Sequence, residues 1–406
     1  YCCKIPRKNQ PMTSRGLDLG KGPILPLLLK MSWPSVAAML VAAVYNLMDT
    51  FWLARINPHA IAAFTVTFPI QMIFAAVGIG TGIGAGSFAA RMFGAGKADK
   101  AQQAAGQVFL ITAFFGMLII ISTLAYPDDI LRFFGATEEI LPLAKDYLVV
   151  AVFGSPLLLF MMICNNLIRA EGRPNLSMTV ILSFAVTGSL LDPLLILGWG
   201  PFPRMGIVGA AVSACIAQFA GSLLSFIFLC HPTSKYHIEW RYLRPAPDII
   251  YSIYQTGFPS VIMNLVISAV IVVYNHSLAH FGPHALATLG VCFRINGLVM
   301  MVLFGIGHGL MPMVGFNEGA RHYGRLLETV RVAVRFSTIF AIICCAIMEI
   351  FAPQIMAAFT KDENLISIGV PALRIFVSML PLIAPSLVWI NMFLGLGKGT
   401  TSMLLM

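Results

Sequence analysis

The sequence predicts an all-α polytopic membrane protein made of two parallel six-helix repeats. Three observations carry this: an apolar composition, recurring apolar windows of span length, and a self-match at a constant spacing of 225 residues. Of 406 residues, 58% are hydrophobic and 11% charged, with a mean hydropathy of +0.85. A soluble domain would carry about 25% charged residues. Windows about 20 residues long suit helices crossing a ~30 Å hydrocarbon layer. They fall near 32–54, 61–90, 104–125, 146–168, 175–198, 207–230, 249–279, 285–314, 330–351 and 366–393, and an eleventh begins at 399. Gly and Pro recur inside these windows, which membrane helices tolerate where neighbours satisfy the freed backbone groups.

The repeat is ungapped over more than 140 residues. LARINPHAIA (53–62) matches LAHFGPHALA (278–287), and WPSV at 33 matches FPSV at 258. Gly80, Gly82 and Gly84 match Gly305, Gly307 and Gly309; Pro156, Asn166 and Gly172 match Pro381, Asn391 and Gly397. Six spans precede the second copy, so both halves start on the same side, as parallel repeats about an axis along the membrane normal. The chain then divides into an N-terminal segment (1–31), an N-terminal six-helix lobe (32–230), a polar linker (231–248) and a C-terminal lobe (249–406). Residues 182–230 find no repeat partners before position 406. The expectation is a fragment, truncated after helix 10, of a twelve-span protein running roughly 50 residues further. The chain opens on Tyr1, and Met12 is the expected start, which would make 1–11 non-native.

The net charge of +9 suggests nucleic acid until the basic residues are placed. Nineteen of the 26 Lys and Arg fall in the N-terminal segment and even-numbered loops, five in odd-numbered loops, and Arg294 and Arg374 inside spans. That bias predicts a cytoplasmic N-terminus in a cell (inner or plasma) membrane and accounts for the charge without a nucleic-acid partner. The first apolar run is a full-length span, not a cleavable leader. Eight scattered cysteines form no CxxC and no zinc spacing, so neither a disulfide framework nor a metal site is expected.

The informative residues are charges inside spans. An ionised Asp within a bilayer costs roughly 2.5–3.5 kcal/mol on the insertion scale, yet Asp49 ends the run YNLMD of the first span. It reads either as a carboxylate binding a proton or cation from a wet cavity between the halves, or as an interfacial acid pairing with Arg55. Asp192, in SLLDPLLI, lies deep in span five and is followed by Pro193, which should kink the helix and free carbonyls beside the acid. The alternative is a hydrogen-bonded tie between helices. Both acids fall in the first half, which makes that lobe the expected ion-coupling site. Tyr45, Asn46, Gln71, Asn166, Ser189 and Ser213 are polar groups that could line the cavity. Glu349 lines the cavity or faces the headgroups. Arg294 and Arg374 read as counter-charges, and His276 and His308 as proton relays or satisfied hydrogen-bonding residues. The ladder GIGTGIGAG (78–86) lacks the strand and register of a nucleotide loop. Gly80, Gly82 and Gly84, echoed by Gly305, Gly307 and Gly309, read as close helix packing or rocking contacts.

These segments together resemble the multidrug and toxic compound extrusion (MATE) family. The matching stretches are YNLMDTFWLAR, GIGTGIGAGSFAARMFGAGK, RAEGRPN, SLLDPLLI, GIVGAAVSACIAQ and GIGHGLMPMVGFNEGA, in order, over about residues 24–400. The resemblance implies two six-helix lobes and export of organic, often cationic compounds driven by inward Na⁺ or H⁺. Asp49 and Asp192 look like the branch whose N-terminal lobe carries the coupling acids. Where that branch commonly has Asn four residues before the second acid, this chain has Gly188; where it has Thr in span six, this chain has Ala214 beside Ser213. Na⁺ needs several oxygen ligands, so proton coupling is favoured, with no cofactor beyond the H⁺ or Na⁺ itself. The expected partners are a small organic cation and membrane lipid, and the expected state is a monomer. The runner-up is a flippase for a lipid-linked oligosaccharide or polysaccharide, which calls for a cationic cavity that midspan acids do not make. An intramembrane enzyme would need a motif such as HExxH or G-x-S-x-G, and neither occurs. A passive channel is the weaker rival.

Overall fold

The computed structural model describes residues 16–56, 58–199, 202–237, 240–279, 283–359 and 363–405. Every element among them is helical, the one arrangement besides a closed barrel that satisfies a backbone in lipid. The first half holds α1 (Ile24–Ala54), α2 (Pro58–Gly94), α3 (Ala98–Ala125), the short α4 (Pro127–Phe133), α5 (Leu141–Ala170), α6 (Pro174–Leu197) and α7 (Ile207–Cys230). After a 3-10 turn at Trp240–Leu243, the second holds α8 (Pro247–Ala279), α9 (Pro283–Gly319), α10 (Tyr323–Ile350), the short α11 (Ala352–Phe359), α12 (Glu363–Ser378), α13 (Leu380–Gly395) and α14 (Gly399–Leu404). Among the described residues, eight helices are long and apolar enough to cross a membrane, nine if the bent α12–α13 pair counts as one. Starts and stops follow the chain's own punctuation. Pro occupies the first turn of α4, α5, α6 and α13, where its missing N–H costs nothing, and Gly198 closes α6 in a left-handed conformation.

One expectation needs correction. Span ten is not continuous: it breaks at Met379 and bends by 41° between α12 and α13. Its counterpart α5 runs unbroken with Pro156 inside it. The second copy adds Pro371 and Pro385 around the matching Pro381, so three backbone donors are missing within about four turns. Pro193 lies inside α6, which continues as helix to Leu197.

The linker is not loose. Its Tyr236 and Tyr242 are buried, and Gln107 of α3 donates to the carbonyls of Tyr242 (2.9 Å) and Arg244 (2.8 Å) while accepting from Ala246 N–H (3.0 Å). Upstream, buried Glu171 in the α5–α6 turn accepts from Lys235 N–H (2.6 Å) and Ser234 (3.2 Å), with Arg173 Nε 3.4 Å away. Burial pushes the Glu171 carboxyl above its ordinary pKa, against the pull of the Lys235 N–H bond and the Arg173 charge. Burial likewise lowers that of Lys235, which Glu171 opposes.

The halves meet through α1 on α9 and α2 on both α8 and α9. A Cβ on Gly94 would strike the Phe316 carbonyl, and one on Gly319 would strike the Arg91 carbonyl. Since 91 and 316, like 94 and 319, differ by 225, this is one contact made twice. Gly80 and Gly84 lie on α8 at Val261 and Ile253; Gly305 and Gly309 lie on α1 at Val36 and Ser32. Gly82 and Gly307 instead face the Asn166 and Asn391 side chains within their own halves. At this same end the N-terminal stretch bridges the halves. Leu17 N–H bonds the Gly172 carbonyl (2.9 Å), Asn317 donates to the Leu19 carbonyl (3.3 Å), and Arg325 donates to that of Lys21 (3.0 Å).

The contact fades towards the opposite end. Ile73 and Leu298 are repeat equivalents on the glycine faces of α2 and α9, two turns or about 10.5 Å beyond Gly80 and Gly305. They are 41% and 55% exposed. The halves are joined at the N-terminal end and parted at the other.

If the joint depends on backbone approach, adding one methyl tests it. Gly319→Ala should lower the melting temperature of the purified protein, by an overpacking cost of about 1–3 kcal/mol. Gly290→Ala, on the same helix with open space around it, should leave it unchanged or slightly raised.

Candidate functional site

α1 and α6 run in the same direction: Lys30 and Trp33 stand opposite Pro174–Leu176, and Leu40–Tyr45 stand opposite Ala185–Leu190. Residues four apart share a helix face, so Tyr45 and Asp49 form one ladder and Gly188 and Asp192 another. The rungs meet. The Tyr45 ring lies against Gly188, where a Cβ would collide with it, and packs edge-on to Phe184 at 5.0 Å. One turn further, Asp49 and Asp192 come to the same level, near enough for their charges to act on each other.

Both acids are enclosed, Asp192 at 0% exposure and Asp49 at 9%. The Ser213 hydroxyl of α7 lies 2.6 Å from Asp192 Oδ1 and 3.3 Å from the Gly188 carbonyl. Asp192 Oδ2 has no hydrogen-bond partner among the described residues. On the far wall, Gln71 of α2 donates to the Tyr147 hydroxyl of α5 at 3.1 Å, and that phenol is also within electrostatic reach of Asp49. Arg55 does not neutralise Asp49; its guanidinium stacks over Phe51 (4.6 Å) and Trp52 (5.3 Å). Among the described residues neither acid has an ion-pair partner. A buried carboxylate without a cation beside it is costly, and a proton or a small cation on the pair would relieve that cost.

The structure therefore gathers Tyr45, Asp49, Gln71, Asp192 and Ser213, and leaves the other candidates elsewhere. Asn46 is exposed, one residue off the acid face. Ser189 is half-buried and lines an apolar groove between α1 and α6. Asn166 packs on Gly82, donates to the Met162 carbonyl (3.0 Å) and accepts from Arg169 (3.0 Å), a packing role. His308 is half-buried within electrostatic reach of Arg169, away from the acids. Glu349 meets Arg374 at 3.6 Å with both side chains partly exposed, so each has its counter-charge; Arg294 is exposed. The His276 side chain lies outside the described residues. Tyr147 escaped the sequence reading because an aromatic in the first turns of a span reads as an interfacial anchor. Only its pairing with Gln71 marks it as part of the cluster.

The MatE family model matches residues 34–194 and 259–406. The chain is 24% identical to the multidrug export protein MepA of Staphylococcus aureus over 386 residues, 94% of this chain and 84% of that protein. It is 29% identical to a FAD transporter of Shewanella oneidensis over 356 residues, 85% and 76% of the two chains. Among solved structures, a MATE protein in complex with MaL6 superposes with a TM-score of 0.90 at 26% identity, covering 97% of this chain and 87% of that one. An outward-facing conformation of a multidrug resistance MATE family transporter gives 0.89 at 26% identity, over the same shares of the two chains.

The Tyr45–Gly188 contact explains why no side chain occupies position 188, and it is testable. Gly188→Asn should destabilise the protein by an overpacking cost of about 1–3 kcal/mol. Adding Tyr45→Ala should recover much of that, with a coupling of about 1 kcal/mol or more in a double-mutant cycle read by thermal melting.

Proposed function

Because the chain belongs to the MatE family of membrane transporters, we propose that it is a proton-coupled antiporter exporting organic, chiefly cationic, compounds by alternating access. The observation that carries the reading is the enclosed acid pair, with Ser213 holding one oxygen of Asp192 and the other oxygen unpartnered. Such a site takes up charge only together with a counter-ion. Na⁺ demands several oxygen ligands. Here the Tyr45 ring fills the space an extra amide ligand would need, and the Gly188 carbonyl already faces Ser213. A proton needs one lone pair, so protons are the favoured coupling ion.

The bias of basic residues supports a cytoplasmic N-terminus in the cell membrane. The joined end is then cytoplasmic and the parted end faces outward, an outward-open state. The cycle would part the Gly94–Phe316 and Gly319–Arg91 contacts to open the other way. Exporting a monovalent cation against ~100 mV costs about 2.3 kcal/mol. One returning proton offsets that amount and leaves only the pH gradient as drive; two, one on each acid, leave a surplus. This supports a use for a pair where a single acid would break even.

Transport into liposomes containing the full-length gene product tests the reading. An acid jump should start movement of a cationic dye, and Asp49→Asn or Asp192→Asn should cut the rate at least tenfold with the protein still folded. Movement started by a Na⁺ jump at constant pH would overturn proton coupling. FAD moving in place of the dye would overturn the cationic substrate, since a relative carries that name.

A further inference from the structure

A second feature lies at the joined end, away from the acids. A cavity of about 760 Å³ opens between the start of α1, the α5–α6 turn and the end of α7. Lys30, Arg173 and His231 line it, and no acidic side chain among the described residues does. Lys30 is exposed with no ion-pair partner among the described residues. Arg173 is buried, bonded to Thr233 and backed by Glu171, so its charge is half-committed, but Lys235 restores the positive balance on the other side of Glu171. His231 holds Thr233 Oγ1 through Nδ1 at 2.8 Å, which leaves Nε2 for a ligand. Trp33, 69% exposed, stands at the mouth one turn above Lys30, where indole rings sit at a headgroup boundary.

A second opening, of different chemistry, lies along the same helix pair. Further along the same two helices, a groove of about 440 Å³ is walled by Leu40, Val41 and Val44 of α1 and by Ala185, Val186 and Leu190 of α6. Val44, Val186 and Leu190 are exposed, as is Leu182 between the two openings. From Lys30 to Val44 is fourteen residues, a rise of about 21 Å. Half a bilayer's hydrocarbon is about 15 Å. A polar, cationic seat is thus followed along the same two helices by an apolar groove, the pair reaching over about the depth of one leaflet.

We infer that this cleft binds an anionic phospholipid, its phosphate held by Lys30 and His231 beside Arg173 and one acyl chain laid along the α1–α6 groove. Charge complementarity selects the headgroup, since basic pockets between helices at this membrane level suit anionic lipids. The length and apolarity of the trough select a lipid over a free anion. The ligand braces the first turns of α1 against α6 and the α5–α6 turn. This holds whether or not the acid pair couples transport.

The test is lipid retention by the purified full-length gene product, counted by native mass spectrometry with melting temperature as a second readout. Phosphatidylglycerol should be retained at least fivefold over phosphatidylcholine with the same chains, and should raise the melting temperature. Lys30→Gln combined with His231→Gln should abolish that preference. Val186→Trp, which fills the trough and touches no charge, should lower retention of phosphatidylglycerol. Lys97→Gln with Lys100→Gln, removing basic residues just after α2 that do not line the cleft, should change nothing. Equal retention of the two lipids, equal loss in the Lys97/Lys100 variant, or the same stabilisation by inorganic phosphate alone would each overturn the proposal.

Discussion

The structure depends on how closely two backbones can approach inside a membrane. Lipid tails are as apolar as Leu, so helices there associate by packing and by the few hydrogen bonds between them. At Gly94 and Gly319 the partner across the interface is a carbonyl, with no room for a side chain. Each contact is the repeat image of the other, and so are Gly80 on Val261 and Gly305 on Val36. Four such points set two similar halves about a common axis at one end of the bundle. Two turns further, Ile73 and Leu298 are bulky and exposed, and the halves separate. A narrow joint and an open mouth follow from where the small residues stop.

That frame is symmetric, but the chemistry placed on it is not. The repeat equivalent of Asp49 is Tyr274. The second half's acid at the end of α10, Glu349, already faces Arg374. Among the described residues, only the first half encloses carboxylates without cations. Gly188 is part of the same asymmetry: by omitting a side chain it admits the Tyr45 ring, which closes the groove beneath the acids and thins the supply of oxygen ligands. The substitution that seemed a loss in the sequence is a repacking in the structure.

Much of the fold was legible because the bilayer leaves the backbone few options. A span-length apolar window has to be a helix, so most helix bounds fall within a few residues of the sequence reading. α4 and α11, seven and eight residues long, went unseen because they are shorter than any span window. The break in span ten was written in Pro371, Pro381 and Pro385, but single prolines elsewhere, Pro156 and Pro193, leave their helices continuous. One proline is absorbed by its neighbours; three within four turns are not. In the site, Asp49 and Asp192 stood out by the cost of their charge. Asn46, Asn166 and His308 were drawn in by polarity alone, and rotation of each helix about its axis, which sequence fixes weakly for spans apolar all round, put them elsewhere. Ser213 was one polar candidate among several; a rotation of 100° per residue makes it, and not Ala214 beside it, the one that reaches Asp192.

One helix belongs to both the joint and the acid pair. α1 presents Ser32 and Val36 to Gly309 and Gly305 of the second half, and Asp49 to Asp192 of its own. The separation from Ser32 to Asp49 is seventeen residues, about 25 Å along a continuous helix. In the proposed cycle, a change in the charge at Asp49 shifts how α1 sits on α6. A stiff helix carries that shift to the surface where the halves touch. Coupling of this kind requires an element with two discrete seats, not a continuous wire. Backbone-to-backbone packing supplies the discreteness: a helix lodged against a glycine notch is either in it or out of it, because intermediate positions lose the contact without gaining another. In the proposed cycle, the absence of side chains at the joint and the acids far from it would be two ends of one device. α6, α9 and the α5–α6 turn are the surfaces against which α1 must be read.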